Sequence, residues 1–182
     1  MNLRHALRHA TSALHAELDG RFSALDLGNR RDYTLFLRAQ AAALLPLEQR
    51  LEQAGVADVV DDWPERSRSR ALLADLAALG AASPPPVPVA SLQGAGAVFG
   101  ALYVLEGSRL GAEVLLREHG IGDAGGQLPI HFLGHGRGRR LWPTFLAALE
   151  LASSAGIADD EVIGGAEAAF RTFLTATELA AA

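Results

Sequence analysis

Apolar residues recur along this chain at intervals of three and four and rarely at two, which is the signature of helices packed along one face. At about 100° per residue, Leu3, Leu7, Ala10, Leu14 and Leu18 gather into one stripe with Thr11 and Phe22 beside it, predicting a helix from Leu3 to about Phe22. A second helix is predicted from Arg31 to about Ala54, with Asp32 in its first turn and Gly55 as its stop. Pro46 lies within it and should kink or divide it near Ala42 to Leu45, because proline removes a donor and crowds the preceding turn. Arg66 to Leu79 reads as a third helix, followed by Gly80 and the extended connection ASPPPVPVAS. A long glycine-punctuated helix runs from about Leu92 to Glu118, and then a loop, His119 to Gly138, holds seven glycines in twenty residues. Two further helices are expected, Arg139 to Ser153 with Pro143 in its first turn, and Asp159 to about Leu179 capped by Asp159 or Asp160. β-Branched residues are scarce and no strand is expected, so the fold class is all-α, one domain of six or seven helices over residues 1–182.

Composition narrows the chemistry. The 182 residues are 49% hydrophobic and 20% charged with a formal charge of −5, the balance of a soluble globular protein and a poor match for a nucleic-acid partner. The absence of cysteine removes disulfides, thiolate metal sites and cysteine nucleophiles together, leaving His, Asp and Glu for any metal. The amino-terminal segment lacks the apolar run of a signal peptide, and Ala95 to Leu105 is eleven residues long where a membrane-spanning helix needs about 20. A cytoplasmic protein without a membrane partner is expected.

Of six histidines, His15 is the best placed for ligation, because it sits at the border of the apolar stripe while His5 and His9 fall on the wetter side. Asp19, one turn on, can accept a hydrogen bond from its ring, and Arg8, two turns back, puts a fixed positive charge on the same edge. A half-buried histidine among ordinary helix charges accounts for the same residues, so both readings stand at this point. His131 and His135 lie four apart, but Gly134, Gly136 and Gly138 argue against a helix there, and loop histidines near a cofactor edge are the expectation. GIGDAGGQ lacks the spacing of a nucleotide-binding fingerprint and reads as a flexible turn.

Gly96, Gly100, Gly107 and Gly111 are spaced by four, seven and four, so they form one slowly drifting side-chain-free strip. Each costs a helix interior about 1 kcal/mol relative to alanine. Either another helix crosses closely there, or something flat lies on exposed backbone. Polar Glu106, Ser108 and Arg109 near the second pair shift the balance toward a flat ligand without deciding between the two.

Two motifs, LRHATSALHAELD and ALYVLEGSRLGAEVLL, give the chain a resemblance to the haem (heme) oxygenases, in particular the bacterial biliverdin-forming type associated with bacteriophytochromes, over about Leu3 to Phe173. The resemblance implies a helical bundle that sandwiches haem between a proximal amino-terminal helix and a kinked glycine-rich distal helix. It implies that His15 ligates the haem iron, that Asp19 orients that imidazole, and that Arg8 and Arg139 approach the propionates. It further implies that Thr11 and Tyr103 line the cofactor, and that Gly107, Ser108 and Gly111 form the distal catalytic surface. Some members read GDLSGG where this chain reads GSRLGA, so Ser108 replaces a distal aspartate and proton delivery is expected to differ. Glu106 projects about 200° away from Ser108 and is not expected to substitute.

The activity implied is oxidative cleavage of haem, at once cofactor and substrate, by dioxygen and reducing equivalents to biliverdin, carbon monoxide and ferrous iron. The electron donor implied is a ferredoxin or flavoprotein reductase, and a bacteriophytochrome is the implied biliverdin acceptor; the arginines around Arg137, Arg139 and Arg140 read either as a docking patch for a negatively charged donor or as a solvated helix end. Two other functions fit the residues: a haem carrier or sensor of the same fold, and a helical interaction protein whose glycines are packing sites.

Overall fold

A computed structural model describes residues 2–122 and 127–181, so four residues of the turn GIGDAGGQ lie outside the described residues. Seven α-helices are found among the described residues: α1 (Leu3–Phe22), α2 (Arg30–Gln53), α3 (Trp63–Arg66), α4 (Ser69–Ala78), α5 (Gly94–Glu118), α6 (Leu141–Ser154) and α7 (Asp159–Ala181), with one 3-10 turn, Val56–Asp58, and no strand. The all-α expectation holds. No helix among the described residues is long and apolar enough to cross a membrane.

The pattern on α1 translates directly into burial. Leu3, Leu7 and Thr11 are buried, whereas Leu14, Leu18 and Phe22 are only partly so, leaving the carboxyl-terminal half of the helix less covered. Asn2 caps the helix, its side chain accepting from the Arg4 N–H at 2.9 Å. Helix α7 is the shared partner of the bundle, packing against α1, α2 and α5. Arg21 of α1 fixes the α1–α7 pair by donating to Thr177 and Glu178, each at 3.1 Å, while His15 meets Phe170 edge-on at 5.7 Å. Contacts thus advance in the same direction along both helices.

Pro46 does not divide α2, which continues unbroken from Arg30 to Gln53. The physical reason is a replacement donor: the Ala42 carbonyl, which proline leaves without its helical partner, accepts the N–H of Val87 at 2.9 Å from the proline-rich connection. Gly55 ends the helix in a left-handed turn, at φ +79°.

The expected third helix starts at Ser69 rather than Arg66, behind a separate short helix. Helix α3 stops at Arg66 and α4 starts at Ser69, and the break is organised by Glu48 from α2, a buried carboxylate. Its oxygens accept from the Ser67 hydroxyl at 2.6 Å, the Arg68 N–H at 2.7 Å, and the N–H and hydroxyl of Ser69 at 3.0 and 2.6 Å. No residue of α4 itself caps its first turn with a side chain, so a remote acid takes that part. The long helix starts at Gly94 instead of Leu92, and Asp159 and Asp160 fall within the first turn of α7.

Candidate functional site

The four glycines of α5 divide into two pairs with different surroundings. A Cβ on Gly100 would lie 2.0 Å from the Val162 carbonyl oxygen and 2.5 Å from the Ala166 nitrogen, while one on Gly165 of α7 would lie 2.3 Å from the Ala97 oxygen. Gly96 is similarly filled by Glu161. This half of the strip is a close backbone crossing between α5 and α7, where any side chain would push the helices apart. Further along, a Cβ on Gly111 would meet nothing within 4 Å, and one on Gly107 would make only ordinary contact, 3.7 Å, with the Trp142 ring. The same face therefore serves packing at one end and stays bare at the other.

Around the bare end the surface is apolar. Leu110 is 50% exposed and Val114 44% exposed, which at one-turn spacing from Gly107 and Gly111 makes an uncovered hydrophobic flank. Trp142 of α6 stands beside it, 5.6 Å from the half-buried Tyr103 ring and stacked 5.8 Å from Phe145. Burial raises the pKa of the Tyr103 phenol, and the guanidinium groups of Arg4 and Arg8 act against that rise. Those charges are felt at α5, so the basic edge of α1 and the Tyr103 turn of α5 share one electrostatic environment.

On α1, the imidazole Nδ1 of His15 lies 2.8 Å from Asp19 Oδ2. A carboxylate there keeps the proton on Nδ1 and leaves Nε2 with its lone pair. The His15 side chain is 62% exposed, so Nε2 is reachable by a ligand. These residues fit an iron porphyrin: one oriented nitrogen, an apolar flank, a helix face without side chains, and an arginine, Arg8, exposed on the α1 surface. No group of three His, Asp or Glu side chains among the described residues could hold a bare metal ion instead.

The remaining expected residues are placed differently from one another. Thr11 is buried and donates to the Leu7 carbonyl at 2.8 Å. Arg139 is ion-paired with Glu65 of α3. The Ser108 hydroxyl donates to the Leu105 carbonyl at 2.7 Å and accepts from Arg68 at 2.9 Å. Arg68 is itself buried, stacked over Phe132 at 5.1 Å, with its pKa pulled down to about 10, first by burial and then by Arg109.

Glu106 and Arg109, read from the sequence as signs of a ligand, belong to the interior. Glu106 is buried and accepts from Arg66 at 2.9 Å and from Arg109 at 2.9 and 3.0 Å, while Arg66 also donates to the Leu141 carbonyl and to Thr144, both at 2.9 Å. The network ties α3, α5 and α6 together, and no buried side-chain polar atom among the described residues lacks a partner. It also explains why Glu106 cannot serve at the distal surface. His131 and His135 line a cleft with residues of α2, α3 and α4.

Trp142, Phe170 and Arg68 were not anticipated. Only the adjacency of Trp142 to Pro143 at a helix start hinted at a fixed aromatic, and no local spacing links it to α5.

No family model matches the chain. A heme oxygenase of Xanthomonas campestris pv. campestris (strain 8004) is 33% identical over 148 residues, spanning 79% of this chain and 87% of that relative. The fold is similar to that of the Neisseria meningitidis heme oxygenase, solved with NO and CO bound, at a TM-score of 0.83 and 22% identity over 99% of this chain and 92% of the other. A relative of that identity and coverage, together with the helical fold, places this chain in the heme oxygenase family.

Proposed function

We propose that the chain cleaves haem oxidatively to biliverdin, carbon monoxide and ferrous iron, with haem held between His15 of α1 and the Gly107–Gly111 face of α5. The observation that carries the reading is the oriented imidazole: Nδ1 of His15 on Asp19 at 2.8 Å, with the rest of the ring exposed. Bound haem supplies the iron that reduces dioxygen and the ring that is opened.

The residues of the chain do the rest. His15 contributes a neutral nitrogen ligand, and Asp19 keeps its ring from turning. Gly107 and Gly111 leave room on the distal side for small molecules, which a larger side chain would occupy. Leu110 and Val114 exclude water from the flank. Arg8 pairs with a carboxylate of the ligand and so sets its rotation, which selects the carbon presented for attack. Arg139 takes the same part only by exchanging Glu65 for that carboxylate.

Ser108 has committed its proton to the Leu105 carbonyl, so its remaining lone pair accepts from a water and holds it, without donating. Tyr103 and Trp142 wall the same side. Electrons come from an external carrier of the ferredoxin or flavoprotein class, and a bacteriophytochrome is the biliverdin acceptor that the sequence resemblance suggests.

The test is an anaerobic haem titration followed by oxygen and ascorbate. A histidine-type Soret band that then decays as biliverdin absorption grows is the expected result. Binding without decay would make the chain a carrier, and no binding at low micromolar haem would end the proposal.

A further inference from the structure

A cleft of about 1040 Å³ opens where α2, α3 and α4 face the turns at residues 130–137, and no residue of α1, α5 or α7 lines it. Its chemically distinctive walls are Trp63, Arg70, Ile130, His131, His135 and Arg137, with the carboxylate of Glu52 engaged by the Trp63 indole N–H at 3.3 Å. The volume lies just above the usual span of small-molecule sites, roughly 300–1,000 Å³.

His131 is the built feature of this cleft. Asp75 on α4 has no exposed surface, and its oxygens accept from the His131 N–H at 3.0 Å, the Phe132 N–H at 2.8 Å and the His131 imidazole Nδ1 at 2.7 Å. A carboxylate fixed by two backbone donors cannot swing away, so it pins both the ring and its tautomer: proton on Nδ1, lone pair on Nε2. The His131 side chain is nevertheless 69% exposed. An imidazole held on one nitrogen by a buried acid and open on the other presents a fixed lone pair to whatever occupies the cleft.

The other groups define what the nitrogen would bind. His135 accepts an Arg109 N–H on Nδ1 at 3.1 Å, so its neutral ring carries the remaining proton on Nε2 as a donor. Burial, then Arg109 and Arg68, lower its pKa and favour that neutral form, with Glu48 and Glu106 opposing. Arg70 and Arg137 make no ion pair among the described residues. Trp63 and Ile130 supply apolar wall. One nitrogen ligand, two guanidinium groups outside any ion pair among the described residues, and an apolar wall do not suit a bare cation, which needs several ligands, but they suit a metal carried by an apolar dianion.

We infer that this cleft is a second haem-binding site, with His131 Nε2 as the axial ligand and Arg70 and Arg137 pairing the propionates. The inference rests on haem being this chain's ligand, as proposed above. The cleft lies apart from the His15 surface, and a molecule held there is a haem in waiting for the reactive site.

The test is a haem titration of the full chain, wild type and four variants, under argon, with stoichiometry read from the Soret break point. The wild type should saturate at two haems per chain. His131→Ala and His15→Ala should each saturate at one, and the double variant should show no histidine-type Soret band. Arg70→Glu combined with Arg137→Glu should raise the dissociation constant of the second haem about tenfold and leave the first unchanged.

Wild type saturating at one haem would overturn the inference, as would a second haem that His131→Ala leaves in place, the mark of surface adsorption. With a wild type that takes two haems, a His15→Ala variant that still takes two while His131→Ala takes one would support this cleft and refute the His15 reading, so the two failures are distinct. Because His131 is exposed, its alanine variant should keep the wild-type far-UV circular dichroism, which separates lost ligation from lost fold.

Discussion

Asp19 Oδ2 sits 2.8 Å from His15 Nδ1, one turn apart on α1, and holds the imidazole with its other nitrogen free. Removing such a partner typically costs ten- to a hundredfold in metal-site affinity. Because both side chains are largely exposed here, Asp19→Asn should weaken haem binding by about tenfold, at the low end of that range. The rate of haem transfer to an apo-globin measures it, and an unchanged rate would remove Asp19 from the site.

His15→Ala should lose the histidine-type spectrum and all turnover while melting within about 0.5 kcal/mol of wild type, because an exposed ring contributes little to stability. Added imidazole should restore the spectrum. Activity in the variant without imidazole would assign the iron to another residue.

Two alanines on α5 should act with opposite sign. Gly100→Ala forces a methyl group against the Val162 carbonyl and should destabilise by about 3 kcal/mol, the upper part of the range for overpacking. Gly111→Ala meets no neighbour and should stabilise by up to about 1 kcal/mol through helix propensity, while slowing haem cleavage. Urea denaturation beside a turnover assay reads both, and equal stability changes would contradict the division of the helix into packed and bare halves.

Glu106→Ala leaves Arg66 and Arg109 facing each other inside the protein without their shared carboxylate. Breaking a buried pair on one side typically costs about 3–5 kcal/mol, and a loss of that size is expected in denaturant melts. A change under about 1 kcal/mol would mean that the network is solvated in practice.

Stability should fall in mild acid because of His135. Its pKa is lowered in the fold from the ordinary 6.5, so the unfolded chain takes up its proton first as pH drops. The contribution is whole above pH 6.5 and is lost as pH falls from there through the lowered folded value. His135→Asn keeps an acceptor for Arg109 and cannot titrate, so it should flatten the pH dependence of unfolding below about 6.5. An identical slope in both proteins would place the acid sensitivity elsewhere.

What could be read along the chain depended on where the cause lay. The bounds of α1 follow from its own leucine spacing and from Asn2, both local, and structure and expectation agree. The break at Ser67 and Arg68 was illegible because its organiser, Glu48, belongs to another helix, and the survival of α2 across Pro46 depends on Val87 in a distant connection. The His15–Asp19 pair is an intrahelical relation and was visible. The His131–Asp75 pair spans 56 residues and was not. Four glycines on one helical face were plain in the sequence, but only the course of α7 decides that Gly100 is covered and Gly111 is not.

The remote capping of α4 also sets an order of assembly. Ten residues without a cap of their own form a poor isolated helix, so Ser69–Ala78 should remain unstructured until α2 presents Glu48. Asp75 is then delivered on a formed helix, and only afterwards can it gather the His131 and Phe132 amides. The turns that carry both cleft histidines are in this sense the last dependents of a carboxylate some eighty residues upstream, and a lesion at Glu48 would be felt there as late, incomplete folding.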